Sequence, residues 1–202
     1  MELLLVRHAR PNRAEGQGTP ADPSLSPLGQ RQAEALAAWL GDESIDAVYT
    51  SPLRRAQETT APLAQTLGLV PSIDPALAEY DADATAYIPI EELRAAGDPR
   101  WKQLPDDVDS FQHRVVDGIE RLVEAHNSST VALVCHGGVV NVYLSWVLGA
   151  REPLFFLPHY TSISRVLASA SGQRSVDSLN ETGHLRVANV PLVEIEGQPS
   201  HR

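Results

Sequence analysis

Two apolar runs that each end in a histidine constrain this chain more than any other feature. Residues 2–8, ELLLVRH, and 130–136, TVALVCH, are continuously apolar between their polar first residues, Glu2 and Thr130, and their polar ends. Unbroken rather than alternating apolar character is what a strand covered on both faces requires, and in open α/β sheets ligands bind at the C-terminal ends of such strands. Helix signals surround both runs. After His8 a Gly, Pro and Ser-rich stretch from Gly16 to Ser26 reads as a loop. Ser26-Pro27 then supplies an N-cap and a first-turn proline, Ala33, Ala37 and Leu40 form a core-facing stripe, and Gly41 marks the stop. Ile45 to Tyr49 reads as a short strand, followed by a helix from about Leu53 to Leu67. Val108, Phe111, Val115, Ile119 and Leu122 recur three and four apart and predict a helix ending near His126, and Gly137-Gly138 opens another from Val139 to Leu148.

Strand, loop and helix repeated in this order predict an α/β fold, a three-layer α/β/α arrangement with a mostly parallel central sheet. Thr161 to Ala168 and His184 to Val187 are expected as two further strands near an edge, with the polar stretch Ser169 to Gly183 between them. The segment from about 70 to 110 is irregular, with prolines at 71, 75, 89, 99 and 105, and is expected to be a lid insertion with a short helix around Glu91 to Ala96. Residues 1–202 read as one domain, with a disordered tail from about 197 to 202.

Composition narrows the partners. Twenty-six acidic against sixteen basic residues give a net charge of −10, which opposes binding to nucleic acid or anionic membranes and favours a small molecule. One cysteine, Cys135, excludes an internal disulfide, and without a His/Cys cluster neither a metal nor another cofactor is expected. MELLLVRH lacks the basic region and cleavage site of a secretory signal, so the expected location is the cytoplasm. Trp39, Trp146 and Phe155-Phe156 fit either core packing or a homodimer contact.

The chemistry is concentrated in a few residues. His8 and His136 stand at predicted strand ends, Arg7 precedes the first, and Ser51-Pro52-Leu53-Arg54-Arg55 follows another strand. Taken singly, a strand-end histidine is more often structural than catalytic, and two arginines on a helix are ordinarily a solvated face. In order along the chain, however, LLLVRHA at 3–9, LSPLGQRQA at 25–33, SPLRRAQET at 51–59, LAE at 77–79 and VCHGGV at 134–139 resemble the motifs of the histidine phosphatase, or phosphoglycerate mutase-like, superfamily. That resemblance implies a phosphate pocket of Arg7, His8, Arg55 and His136, with His8 the nucleophile and Glu79 the proton donor. It implies a metal-independent phosphomonoester hydrolase acting on a small phosphorylated metabolite through a phosphohistidine. The alternatives are a mutase-type phosphotransferase and a noncatalytic binder of phosphorylated ligands.

The residue types suit that chemistry. A neutral imidazole is nucleophilic when its other nitrogen holds the proton, expected here against a backbone carbonyl. Guanidinium groups and a second histidine spread the charge of the phosphate, and a carboxylic acid protonates the departing alkoxide, typically worth ~10²–10⁴-fold in rate. Three departures from the family pattern stand out. Ala9 follows His8 where glycine is commoner. Ala14 occupies the position of the usual phosphate-contacting asparagine, leaving Asn12 as the substitute candidate. Glu79 is followed by Tyr-Asp-Ala-Asp-Ala-Thr, which makes Asp81 and Asp83 rivals for the acid role.

Other hydrolase readings fail on missing residues. A cysteine phosphatase loop at Cys135 needs arginine where Asn141 stands, and no Gly-x-Ser-x-Gly elbow, Gly-Lys-Ser/Thr loop or His-Glu-x-x-His motif occurs. In the lid, Tyr80, Tyr87, Ile88, Arg94, Arg100 and Trp101 are expected at the site entrance, Trp101 alternatively packing the lid onto the sheet. Its acids Asp81, Asp83, Glu91, Glu92 and Asp98 are expected to disfavour bisphosphates.

Overall fold

β1 (Glu2–Arg7) forms because Leu3, Leu4, Leu5 and Val6 have apolar neighbours on both faces, and all four are fully buried. The computed structural model describes residues 1–16, 18–102 and 106–193, so the tail expected at about 197–202 lies outside the described residues. The chain continues through β2 (Ala14–Glu15), α1 (Pro27–Leu40), β3 (Ala47–Thr50), α2 (Arg54–Leu67) and β4 (Ser72–Ile73). The lid segment contributes β5 (Ala86–Tyr87) and α3 (Ile90–Ala95), and then come α4 (Val108–Ala125), β6 (Thr130–Cys135), α5 (Gly137–Leu148), β7 (Ile163–Ala168), β8 (Arg174–Glu181) and α6 (Gly183–Val187).

Among the described residues the central sheet has six strands in the order β4-β3-β6-β1-β7-β8, parallel from β4 to β1 and antiparallel over the last two pairings. Side chains of β1 and β6 alternate between two cores. Leu3, Leu5, Val131 and Leu133 pack with Val115, Ile119 and Tyr143 from α4 and α5, whereas Leu4, Val6, Ala132 and Val134 pack with Leu36, Leu40 and Leu63 from α1 and α2. The expected three layers and mostly parallel sheet are therefore present.

The capping signals work as their chemistry predicts. Ser26 Oγ accepts the Gly29 N–H at 3.1 Å with Pro27 in the first turn, an arrangement typically worth about 1 kcal/mol. Gly29 has no substitute, because a Cβ there would overlap the Arg10 carbonyl oxygen; this close approach seats α1 against the loop that follows His8. α2 and α5 both end at left-handed glycines, Gly68 and Gly149.

One expectation is corrected. His184–Val187 is the helix α6, and the eighth strand lies at Arg174–Glu181, inside the stretch read as a polar connection. β8 is an edge strand whose alternate residues lean on the sheet while Ser175, Asp177 and Leu179 face water, so its pairing with β7 needs no apolar run. His184 and Leu185 are buried nonetheless, because α6 packs beneath α1, with Trp39 against Gly183. Trp39 and Trp146 are half exposed, while Phe155 and Phe156 pack against the α4–α5 core. Among the described residues no helix is long and apolar enough to cross a membrane.

Candidate active site

The parallel pairing of β1 with β6 sets Arg7 opposite Cys135, so the residues after each strand, His8 and His136, emerge together. Their ring centroids are 5.0 Å apart at 60°. Backbone hydrogen bonds hold the strand end in place. The His8 N–H donates to the Cys135 carbonyl at 2.8 Å, Ala9 N–H to Thr59 Oγ1 on α2 at 2.9 Å, and Thr161 N–H to the Arg7 carbonyl at 3.0 Å. The methyl of Ala9 packs with Leu25 and Ala33, so the carbon that glycine would lack is a core contact. His8 Nδ1 lies 2.7 Å from the Ala9 carbonyl. A carbonyl only accepts, so Nδ1 holds the proton and Nε2 keeps its lone pair.

Two buried arginines adjoin the histidines. Arg7 donates through Nη1 to Glu91 Oε1 and to the Pro158 carbonyl, both at 2.6 Å, with its guanidinium 4.0 Å over the Tyr160 ring. Arg55 Nη2 donates to Asp81 Oδ1 at 3.0 Å, and its guanidinium lies 4.7 Å over Tyr87. Arg7 Nε, Arg55 Nε and His136 Nδ1 are buried and have no hydrogen-bond partner. An unsatisfied buried donor costs about 1–3 kcal/mol, so two such guanidinium nitrogens and an imidazole nitrogen around one histidine mark a place built for an anion's oxygens.

Electrostatics follow from this setting. Burial, then Arg55 and Arg7, push the His8 pKa well below 6.5, and burial with the same arginines and His8 does so for His136, so both rings are neutral. Glu79 is buried and faces Asp81, which together lift its pKa to about 7 against the opposing pull of the Gly138 and Tyr80 N–H groups and Arg55. Those amides fix the carboxyl, Gly138 N–H donating to Oε2 at 2.8 Å and Tyr80 N–H to Oε1 at 3.1 Å. A Cβ at Gly138 would overlap Glu79 Oε1, which explains the glycine.

Arg7, His8, Arg55 and Glu79 line one open cleft of about 1540 Å³, with Gly137 and Gly138 at its base and His136 fully buried behind them. Tyr80, Tyr87, Ile88, Arg94, Arg100 and Trp101 all line it too. The Trp101 ring has Arg94 at 5.6 Å and Lys102 at 5.1 Å, so it belongs to the cleft wall. Asn12 is placed elsewhere. It is exposed, its amide donates to Ser24 Oγ and the Leu25 carbonyl, and it is not among the cleft's lining residues. Asp81 sits on Arg55, while Asp83 lies on the cleft wall. Sequence reasoning missed Ser51 beneath His136, Tyr160 beneath Arg7, and Glu91 as the partner of Arg7. Ser51 stood inside a recognised motif; the other two carried no local signal.

Residues 3–182 match the histidine phosphatase superfamily (branch 1). The chain belongs to that superfamily. It is 32% identical over 202 residues to a bifunctional protein of Mycobacterium tuberculosis, covering 91% of this chain and 54% of that one, so it spans about half the length of this relative. It is 29% identical to phosphoserine phosphatase 1 of Hydrogenobacter thermophilus, over 92% of this chain and 94% of that protein. A mycobacterial glucosyl-3-phosphoglycerate phosphatase shares the fold with a TM-score of 0.73 at 24% identity, over 90% of this chain and 99% of that one. Four of the five motifs read from the sequence contribute residues to the cleft: 3–9 ends in the His8 loop, 51–59 spans the start of α2, 77–79 brings Glu79, and 134–139 runs from β6 into α5, whereas no residue of 25–33 lines it. Among the described residues no group of three or more His, Cys, Asp or Glu side chains is placed to hold a metal ion.

Proposed function

We propose that the chain is a phosphomonoester hydrolase in which His8 becomes transiently phosphorylated. The observation that supports this most directly is the free Nε2 lone pair of His8 beside three unpartnered buried nitrogens, Arg7 Nε, Arg55 Nε and His136 Nδ1. A phosphoryl group seated there receives hydrogen bonds on its oxygens while phosphorus faces the nucleophile. His8 Nε2 attacks phosphorus, the bond to the ester oxygen breaks, and Glu79, protonated below its pKa of about 7, gives its proton to the leaving alkoxide. Glu79 then takes a proton from a water that attacks the phosphohistidine, releasing inorganic phosphate and neutral His8. The arginines spread the charge, so no metal is required in this scheme. Asn12 is left without a role, and Asp81 acts through Arg55 rather than as the acid.

The substrate class is a small phosphorylated metabolite, and a cytoplasmic setting is part of the same reading. The test is hydrolysis of p-nitrophenyl phosphate and a panel of sugar, serine and glycerate phosphates in EDTA, with wild type and His8→Ala. Turnover in chelator, abolished in His8→Ala, and an acid-labile phosphoenzyme support the proposal. Activity surviving in His8→Ala overturns it. Phosphate transfer to a second hydroxyl in preference to water would make the enzyme a mutase, as the family's probable phosphoglycerate mutase relatives from Yersinia, 26% identical, are named.

A further inference from the structure

Ser51, immediately after β3, is fully buried, and its Oγ lies 2.7 Å from His136 Nε2. The same oxygen accepts the Leu53 N–H at 3.2 Å. Among the described residues the Ser51 hydroxyl has no other hydrogen bond, so His136 Nε2 is the one acceptor within reach of its proton. A buried hydroxyl that withholds its proton loses a hydrogen bond with nothing in exchange. The proton therefore goes to Nε2, and a neutral His136 must carry its own proton on Nδ1. That nitrogen is the buried one without a partner.

We propose that Ser51 is a positioning residue that locks His136 as the Nδ1–H tautomer, making it a neutral hydrogen-bond donor to a phosphoryl oxygen held beside His8. His8 is in the same tautomer, fixed by the Ala9 carbonyl, but presents its other end. One tautomer thus serves two purposes: His8 offers the Nε2 lone pair to phosphorus, and His136 offers Nδ1–H to an oxygen. Were His136 protonated on Nε2 instead, its Nδ1 lone pair would face the anion and the serine proton would be unspent. The role in turnover rests on the hydrolase reading; the tautomer does not.

The experiment keeps the two apart. Long-range proton–nitrogen correlation spectra of histidine-labelled protein, with signals assigned by their loss in His8→Ala and His136→Ala, read each ring directly. Wild type is expected to show a pyrrole-type Nδ1 and a pyridine-type Nε2 on His136. Ser51→Ala removes the hydroxyl with little change in volume and is expected to populate both tautomers of His136. It should also weaken inorganic phosphate binding and lower kcat/KM, each by roughly 3–10-fold, the scale of one hydrogen bond. Ser51→Thr, which restores a hydroxyl, should recover the spectrum and most of the activity. A proton on His136 Nε2 in wild type overturns the proposal, as does Ser51→Ala leaving spectrum and phosphate affinity unchanged. The expected spectrum and phosphate affinities in a protein that hydrolyses nothing would support the assignment of Ser51 while removing the hydrolase reading.

Discussion

The Glu79 carboxyl shows how a single environment can select among three nearby acids. Glu79, singled out by the family resemblance, has Asp81 and Asp83 as rivals in the sequence, all three lying within five residues on an irregular stretch. In the fold Glu79 is buried with two backbone amides on its oxygens, Asp81 is taken up by Arg55, and Asp83 faces the cleft. Burial and Asp81 hold the Glu79 pKa at about 7, so the acid form is present on the acid side of neutrality. kcat/KM for an alkyl phosphomonoester is therefore expected to fall as pH rises through about 7, and Glu79→Gln should lack that limb. Glu79→Gln should also cost ~10²–10⁴-fold on the alkyl ester, but only on the order of tenfold or less on p-nitrophenyl phosphate, whose leaving group needs no proton. Equal losses on the two substrates would remove Glu79 as the donor.

At the scale of the element, the lid segment is tied to Arg7 and Arg55 by its own carboxylates. α3 presents Glu91 to Arg7 at 2.6 Å, and Glu92 pairs with Arg10 at 2.9 Å and also with Arg13, while the preceding segment presents Asp81 to Arg55. Burial alone would favour a neutral Glu91, but Arg7 holds its pKa below the usual carboxylate range, so the pair is ionised. A phosphate arriving at Arg7 must compete with this resident anion. Glu91→Gln is expected to lower the unfolding free energy by about 1–3 kcal/mol, because Arg7 loses its charge partner in a buried site. The same variant should bind inorganic phosphate more tightly, on the order of tenfold, which corresponds to about 1.4 kcal/mol. A thermal-shift titration with phosphate measures both, and weaker phosphate binding in the variant would contradict the competition. The short lid helix was legible from its flanking prolines at 89 and 99, since each restricts the backbone before it. Its target was not, because Arg7 and Glu91 are 84 residues apart.

For the whole molecule, buried histidines set the response to acid. Burial pushes the His184 pKa down to about 4, and His8 and His136 stand well below 6.5. A histidine with a depressed folded-state pKa contributes stability that is complete above its unfolded value of about 6.5 and is lost as pH falls through the folded one. Glu79 has the opposite sign: its folded pKa of about 7 is raised from 4.5, so its contribution is present below about 4.5 and lost as pH rises through 7. Three histidines outweigh one glutamate, so the urea midpoint is expected to drop between pH 7.5 and pH 5; a midpoint that rises over that interval would reverse the assignment. By itself the sequence determined the alternation of buried strands and capped helices, and that His8 and His136 each stand at the end of a buried strand. Those follow from apolar run length, helical spacing and cap chemistry, all of which act between near neighbours in the chain. Only the tertiary structure decided that Asn12 turns away from the cleft, that the edge strand is Arg174–Glu181, that Ser51 lies against His136, and that lid carboxylates occupy Arg7 and Arg55. Most of these are contacts between residues far apart in sequence, made in a buried setting where each polar group must find whichever partner the fold brings within hydrogen-bond reach.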